Sequence, residues 1–235
     1  FTSGAINLDW ETVTLAYDRD RAFSIDAMDD DEREMIVTAN VMGEFARTEV
    51  VPEVDAIRFA KLAAGAGTIG TPTTFSTADA AKAELLTAEE AIEDFGGVLG
   101  DCLLYVSPAY KKLLRMAVPY EFESGVDPNT TFQTFDGMKI VTVPSTRFYT
   151  AIELLDGKTA GEEAGGYKVA TAGKGINFML VNPACASAIT KHEKLRYFAP
   201  DTNQTDDAHL WQYRLYHDLF VYANKADMIY LSNQA

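Results

Sequence analysis

The sequence predicts an α+β fold. Three observations lead to this prediction: apolar residues alternate near both ends of the chain, a long helical pattern runs from Glu32 to Ala64, and short apolar runs followed by helix signals fill the middle. The chain has 235 residues and is 47% hydrophobic, which is enough for one large domain or for two interleaved smaller ones. We therefore expect strands and helices around an ample apolar core.

The first predicted element is a β-hairpin around the charged turn Asp18–Arg21, with large side chains at every second position. A lone hairpin is only marginally stable in water, and here a helix follows instead of a third strand. The hairpin either lies on the core of its own domain or reaches across a subunit boundary. The charged turn favours the second interpretation, because its arginines could pair with acidic neighbours. The residues predicted to form this subunit contact are Trp10, Val13, Leu15, Tyr17, Arg19, Arg21, Phe23 and Ile25.

A long helix is predicted after the hairpin. Asp29–Glu32 place carboxylates at its positive N-terminal end, where they stabilise free N–H groups. A metal site is the alternative, but the calcium-loop pattern of alternating acids, glycine and a distal glutamate fails, because Asp18 and Asp20 are followed by Ala22. Pro52 predicts a kink or the first turn of a second helix. If continuous, the ~33 residues form a rod of about 50 Å, which ends at Gly65 and Gly67.

The middle of the chain predicts short alternating elements. Residues 68–80 are a Thr-rich connection, and Thr87 with Glu90 forms a capping box that begins a helix. Two strand–Pro–helix units recur, one from Leu103 to Met116 and one from Ile176 to Lys191. The remaining predicted elements are a strand at 138–143, a surface loop at 156–175 and strands at 210–222 and 228–231.

No sequence motif indicates catalysis or a cofactor. Residues 65–70 match G-x-G-x-x-G, but this motif follows a helix and runs into a proline, whereas a dinucleotide site follows a strand and opens a helix. His217 and Asp218 are neighbours on a predicted strand, so they point to opposite faces and do not form a simple dyad. Cys102 and Cys185 lie among apolar residues and are expected to be reduced core side chains. We therefore predict no cofactor and no catalytic residues.

The charge of the chain limits its partners. Its net charge is −15, from 20 Lys and Arg against 35 Asp and Glu. This excess of acid gives no basic stripe for nucleic acid and disfavours anionic membranes. No apolar run is long enough to span a bilayer, and no signal peptide is visible.

Three long stretches resemble the major capsid proteins of tailed phages and prophages, which share the Hong Kong 97 fold. DWETVTLAYDRDRAFSIDAMDDDE at 9–32 is similar to the extended loop that leads into the spine helix of this family, and GEFARTEVVPEVDAIRFAKLA at 43–63 is similar to the spine helix itself. LWQYRLYHDLFVYANKADMIYLS at 210–232 is similar to the closing strands. The resemblance implies a non-catalytic subunit of an icosahedral shell, which self-assembles into pentamers and hexamers around DNA and is located in the virion capsid after assembly in the bacterial cytoplasm.

The resemblance also implies an interrupted domain architecture. Residues 1–28 would be an extended hairpin loop lying on an adjacent subunit. Residues 29–86 and 195–225 would form a peripheral domain with the spine helix, and residues 87–194 and 226–235 an axial domain with a small mixed sheet flanked by helices. Scaffold, portal and decoration proteins are the further partners that this family implies.

The chain departs from some members of this family at one point. Those members join a lysine of the extended loop to an asparagine of a neighbouring subunit, but here no lysine precedes Lys61, so we expect non-covalent assembly. The acidic charge fits a shell whose inner face repels packed nucleic acid. Two alternatives remain open: an encapsulin-type compartment that shares the fold, and an α+β small-molecule enzyme with a polar pocket around residues such as His217.

Overall fold

The computed structural model describes residues 12–28, 42–117, 123–124 and 133–235. These residues fall into two compact units. The first, called the sheet unit, contains residues 12–28 and 189–218; the second, called the core unit, contains the described residues from 42 to 188 and residues 219–235. Trp10 and the acidic run Asp29–Glu32 lie outside the described residues, as does the first part of the predicted long helix.

Strands outnumber helices in the described parts of the chain. The helices are α1 (Val51–Ala64), α2 (Ala78–Asp94) and α3 (Pro108–Ala117). The strands are β1 (Tyr17–Asp26), β2 (Thr68–Ile69), β3 (Leu103–Val106), β4 (Glu123–Ser124), β5 (Gln133–Phe135), β6 (Met138–Thr142), β7 (Ile152–Leu154), β8 (Tyr167–Val169), β9 (Ile176–Val181), β10 (Ala186–Phe198), β11 (Ala208–Val221) and β12 (Ile229–Asn233). The prediction of a mixed α+β chain is confirmed.

The sheet unit is built on three strands in the order β1-β11-β10, as far as its described residues go. β1 pairs antiparallel with β11, from Tyr17 opposite His217 to Asp26 opposite Ala208. The predicted hairpin is therefore wrong, because residues 17–26 form one uninterrupted strand. The charged residues that suggested a turn lie at successive positions of this strand, so their side chains point alternately to its two faces. Asp18 forms an ion pair with Arg214 on β11. One edge of β1 is thus paired within its own chain, with β11 in place of the predicted hairpin partner.

The core unit contains a mixed sheet in the order β2-β12-β9-β3-β6-β5-β4. β3 pairs with β6 and β2 with β12 in parallel, and the other pairs are antiparallel. β7 and β8 form a separate antiparallel pair. The apolar runs at 103–106, 138–143 and 176–181 were predicted as strands, and these predictions are confirmed. The three strands lie side by side in the sheet, and β9 is apolar at nearly every position because it is buried on both faces.

Two apolar clusters cover the two faces of this sheet. In the first, Phe178 and Leu180 of β9 pack with Leu85 of α2 and Leu114 of α3. In the second, the intervening Met179 of β9 packs with residues of α1. All six residues of β9 are buried, and a fully buried side chain of this size contributes about 1.5–3 kcal/mol. β9 is therefore the central strand of the core unit.

The chain is helical from Met42 to Ala64, with a π-helical segment at Ala46–Val50 that leads into α1. Pro52 lies in the first turn of α1, where its missing N–H is not required, so this part of the long-helix prediction is confirmed. The helix ends at Gly65, as predicted.

Three other local predictions need correction. α2 begins at Ala78, so the capping box at Thr87 is wrong; Thr87 lies inside the helix, and its Oγ1 donates to the Ala83 carbonyl at 3.1 Å. The helix predicted after Pro183 is also wrong. Asn182 Oδ1 accepts from the Ala184 N–H at 3.0 Å, but this cap serves only a short 3₁₀ turn, after which the chain continues as β10. The loop predicted at 156–175 contains β8.

Candidate subunit interface

β1 places five of the predicted contact residues on one face of the sheet unit. Adjacent strand positions point to opposite faces, so the odd-numbered residues share a face with their direct partners on β11. The pairs are Tyr17 with His217, Arg19 with Leu215, Arg21 with Tyr213, Phe23 with Trp211 and Ile25 with His209. Val13 and Leu15 lie in the segment before β1, and Trp10 is outside the described residues.

This odd-numbered face is rich in aromatic rings. Tyr17 stacks on His217 with 5.9 Å between ring centroids, and Tyr197 of β10 packs on Trp211 at 4.4 Å. The Arg21 guanidinium lies over the Phe23 ring, 5.7 Å from its centroid. Tyr17 and Phe23 are half-buried within the chain. The face that the sequence predicts for subunit contact therefore already makes contacts inside the subunit and leaves only part of its area free.

The segment before β1 is fixed to β11. The Ala16 N–H donates to Asp218 Oδ2 at 3.0 Å, and the Tyr216 hydroxyl donates to the Leu15 carbonyl at 3.0 Å. Asp218 is buried, with 1% of its surface exposed, whereas Val13 is 50% exposed. The chain is thus anchored at Leu15 and Ala16, and the exposed Val13 lies just beyond this anchor.

The opposite, even-numbered face is charged and exposed. Arg214 donates from Nε to Asp18 Oδ1 at 2.9 Å and from Nη2 to Oδ2 at 2.5 Å. This bidentate contact holds the pKa of Asp18 below its ordinary value. Beside the pair, a groove of about 270 Å³ is lined on its β10 side by His192, Lys194 and Arg196. The sequence pattern did not reveal this groove, because it predicted a helix up to Lys191 and no strand over residues 192–198, which belong to β10.

β10 is the more exposed edge of the sheet unit. Three large apolar side chains on this strand are open to solvent: Ile189 is 43% exposed, Leu195 48% and Tyr197 46%. The Tyr197 hydroxyl is 2.7 Å from His209 Nδ1, and this contact holds the Tyr197 ring against β11. Exposed apolar residues on an edge strand are a typical site for association with another chain.

The described residues contain no group of histidine, cysteine and acidic side chains that could hold a metal ion. Cys102 and Cys185 are free and buried, as predicted, and burial raises the pKa of the Cys185 thiol to about 11. The G-x-G-x-x-G stretch at 65–70 follows α1 and contains β2, so it lacks the strand-to-helix context of a dinucleotide site. Among the helices that the structure describes, none has the length and apolar character needed to cross a membrane.

The sequence matches no protein-family model and has no significant match among curated proteins. Solved structures do match. The mature capsid of bacteriophage PhiM1 aligns with a TM-score of 0.61 and 15% identity over 100% of this chain and 78% of that chain. A structure from Mycobacterium phage Che8 aligns with a TM-score of 0.61 and 12% identity over 92% of this chain and 70% of that chain.

A compartment-forming protein is also among the matches. The holo-SrpI encapsulin complex from Synechococcus elongatus PCC 7942 aligns with a TM-score of 0.53 and 12% identity, over 92% of this chain and 73% of that chain. At sequence identities this low, structural similarity shows that the fold is shared and supports no more specific assignment. The chain therefore has the α+β fold of phage major capsid proteins, as its sequence resemblance predicted.

Proposed function

We propose that this chain is a structural subunit of a phage or prophage capsid, which self-associates into capsomers and closes into an icosahedral shell around DNA. The observation that carries the proposal is the alignment of the whole chain with a mature phage capsid at a TM-score of 0.61. The described residues offer no competing metal cluster, and their thiols are buried. A role in building a shell fits this combination better than catalysis does.

We further propose that the chain forms the interrupted peripheral and axial domains that its sequence resemblance implies, and that the sheet unit takes part in subunit contacts. The edge strand β10 and the predicted contact residues on and before β1, including Val13, would meet neighbouring subunits. The absence of a lysine before Lys61 supports non-covalent assembly. Scaffold, portal and decoration proteins would join the shell in the host cytoplasm.

Electron microscopy of the purified chain tests the proposal. We expect rings or closed shells that form at neutral pH, with nuclease-protected DNA in shells isolated from the natural source. Monomers alone, over a range of concentration, salt and added scaffold protein, would contradict it.

A matched pair of variants tests the role of β10. Ile189 on β10 and Val169 on β8 are both β-branched strand residues, 43% and 39% exposed. We expect Ile189→Gln to weaken association at least tenfold and Val169→Gln to leave it unchanged, because only the first residue lies on the proposed contact edge. Both changes are at exposed positions and should alter subunit stability by no more than about 0.5 kcal/mol. If the two variants associate equally well, the proposal that β10 forms a subunit contact is wrong.

An encapsulin-type compartment is the second candidate, favoured by the structural match to the holo-SrpI encapsulin complex. The two candidates differ in what the particle contains. Nuclease-protected DNA in isolated particles supports the capsid, whereas a co-purifying protein cargo without DNA supports the compartment.

A further inference from the structure

The charged face of the sheet unit carries a groove that the contacts within the chain do not fill. Its volume is about 270 Å³, and Arg214, Lys194 and Arg196 contribute cationic side chains to its lining. Arg214 is neutralised by Asp18 at 2.5 Å. Neither Lys194 nor Arg196 forms an ion pair with any other described residue. In a chain of net charge −15, two unpaired cations in one groove are an unusual concentration of positive charge.

An acidic turn lies at the end of the same sheet. Residues 199–207 connect β10 to β11 and contain Asp201, Asp206 and Asp207 but no lysine or arginine. All three carboxylates belong to exposed residues, and none of them has an ion-pair partner in the part of the chain that the structure describes. The backbone of the turn is held in place, since the Ala27 N–H donates to the Asp207 carbonyl at 3.1 Å.

We propose that the acidic turn of one copy seats in the cationic groove of a second copy. This inference rests on the proposed function, because it names the partner of one surface in a self-associating subunit. Within a single copy the turn follows the end of the groove: Arg196 is three residues before its first residue, whereas Gln212, also in the lining, is four residues from the first residue of β11, or about 13 Å along the strand. A contact between unlike surfaces of identical copies is heterologous and can close into a ring.

Charge favours a protein carboxylate over a nucleic-acid phosphate as the occupant. The groove lining also includes Asp20, and Asp18 lies beside it, so a continuous phosphate backbone would meet two carboxylates as well as the cations. Nucleic-acid binding also requires an extended basic track, whereas the acidic chain offers this short groove. Aspartate side chains on a turn can reach Lys194 and Arg196 while avoiding the acids of β1.

Charge exchange between separate variants tests this contact. The groove variant carries Lys194→Glu with Arg196→Glu, and the turn variant carries Asp206→Lys with Asp207→Lys. Each variant alone places like charges in contact, so we expect its association to weaken at least tenfold relative to the unchanged chain. In a mixture of the two, each contact between unlike variants restores opposite charges, so we expect association to recover in open or even-numbered assemblies, in which the two variants can alternate. The matched control is Lys158→Glu with Lys174→Glu, which makes the same charge change at exposed positions of the core unit.

Sedimentation velocity at several salt concentrations gives the readout, and circular dichroism checks that each variant is folded. Weak association of each variant with recovery in the mixture supports the proposal. A single chain with all four changes, which exchanges the signs of groove and turn, should also associate normally and provides a second test if one variant folds poorly. Failure of both the mixture and this chain to recover overturns the proposal.

Two other outcomes separate the alternatives. If the groove variant associates as the control does but loses binding to a short DNA duplex, the groove is a nucleic-acid site and the proposal is wrong, while the shell function stands. If the unchanged chain does not associate under any condition, the proposed shell function itself fails.

Discussion

Replacement of Gly67 by alanine tests whether the glycine-rich stretch serves packing. A Cβ added there would lie 2.6 Å from the carbonyl carbon of Ala226 and 2.6 Å from the backbone nitrogen of Asp227. Ordinary contact begins at 3.4 Å, so the backbone at residues 226–227 would have to move by about 0.8 Å. The Gly67 N–H also donates to the Ala226 carbonyl at 2.9 Å, which ties the same two segments together.

The expected cost follows from two opposing effects. Overpacking costs about 1–3 kcal/mol, and the reduced freedom of the unfolded chain returns about 0.4–1 kcal/mol. At the midpoints of these ranges the net loss in free energy of unfolding is about 1.3 kcal/mol, which lowers Tm by about 3–5 °C in a chain of this size. Urea unfolding followed by far-UV circular dichroism, together with calorimetry, measures both quantities.

Gly100 provides the matched control. A Cβ at this position meets no atom within 4 Å, so Gly100→Ala should leave Tm unchanged or raise it slightly. Equal midpoints for Gly67→Ala and Gly100→Ala would refute the packing argument. Specific binding of a nucleotide that Gly67→Ala abolishes would refute it in another way, because the stretch would then be a phosphate site.

Three further predictions concern the core, the thiols and the β1–β11 ion pair. Phe178→Ala removes a ring with no exposed surface and should lower the free energy of unfolding, measured in urea, by about 3–5 kcal/mol. Leu86→Ala, at a residue 46% exposed, should lower it by less than about 1 kcal/mol. Equal losses for the two variants would contradict the described core. Cys185 is buried and its thiol pKa is raised to about 11, so a thiol reagent at pH 8 should label it only as fast as the subunit unfolds; rapid labelling of the folded chain would contradict its burial. Arg214 lowers the pKa of Asp18, so the pair stabilises the sheet unit above the ordinary carboxylate pKa and loses this contribution as pH falls through the folded-state value. The protection of β1 amides from hydrogen exchange, relative to the intrinsic exchange rate at each pH, should therefore fall below about pH 4, and Asp18→Asn should remove that dependence.

Secondary structure is predicted best from the sequence where burial or backbone geometry restricts the residues that a position can hold. The nearly continuous apolar runs in β3 and β9 identify central strands of the sheet, whereas β6 alternates buried Met138 and Ile140 with exposed Lys139. Pro52 and Gly65 mark a helix start and a helix end because their backbone properties leave few other positions for them. These local signals hold whatever the rest of the chain does.

The two clearest errors have different causes. Residues 18–21 have the composition of a turn, but they pair with β11, and Asp18 bonds to Arg214, almost two hundred positions away, so the deciding partner is not visible from the neighbouring sequence. Thr87 and Glu90 match a capping box, yet α2 begins at Ala78 and Thr87 bonds back to Ala83, so the capping pattern occurs inside a helix that has already begun.

The charged groove was missed for a related reason. Lys194 and Arg196 alternate with apolar or acidic neighbours, which is a strand pattern, but the preceding Asn-Pro signal suggested a helix to Lys191. Only the pairing of β10 beside β11 brings these cations next to Arg214. The alternation of residue types at every second position from Ile189 onward is a signal that could have identified the strand, although not the groove.

Sedimentation velocity of the unchanged chain, from dilute to concentrated solution at neutral pH, tests most directly that this molecule builds a shell. The account predicts discrete rings or closed particles far larger than one subunit, which grow at the expense of monomer as concentration rises. A single monomeric species throughout, with and without a scaffold protein, would contradict it.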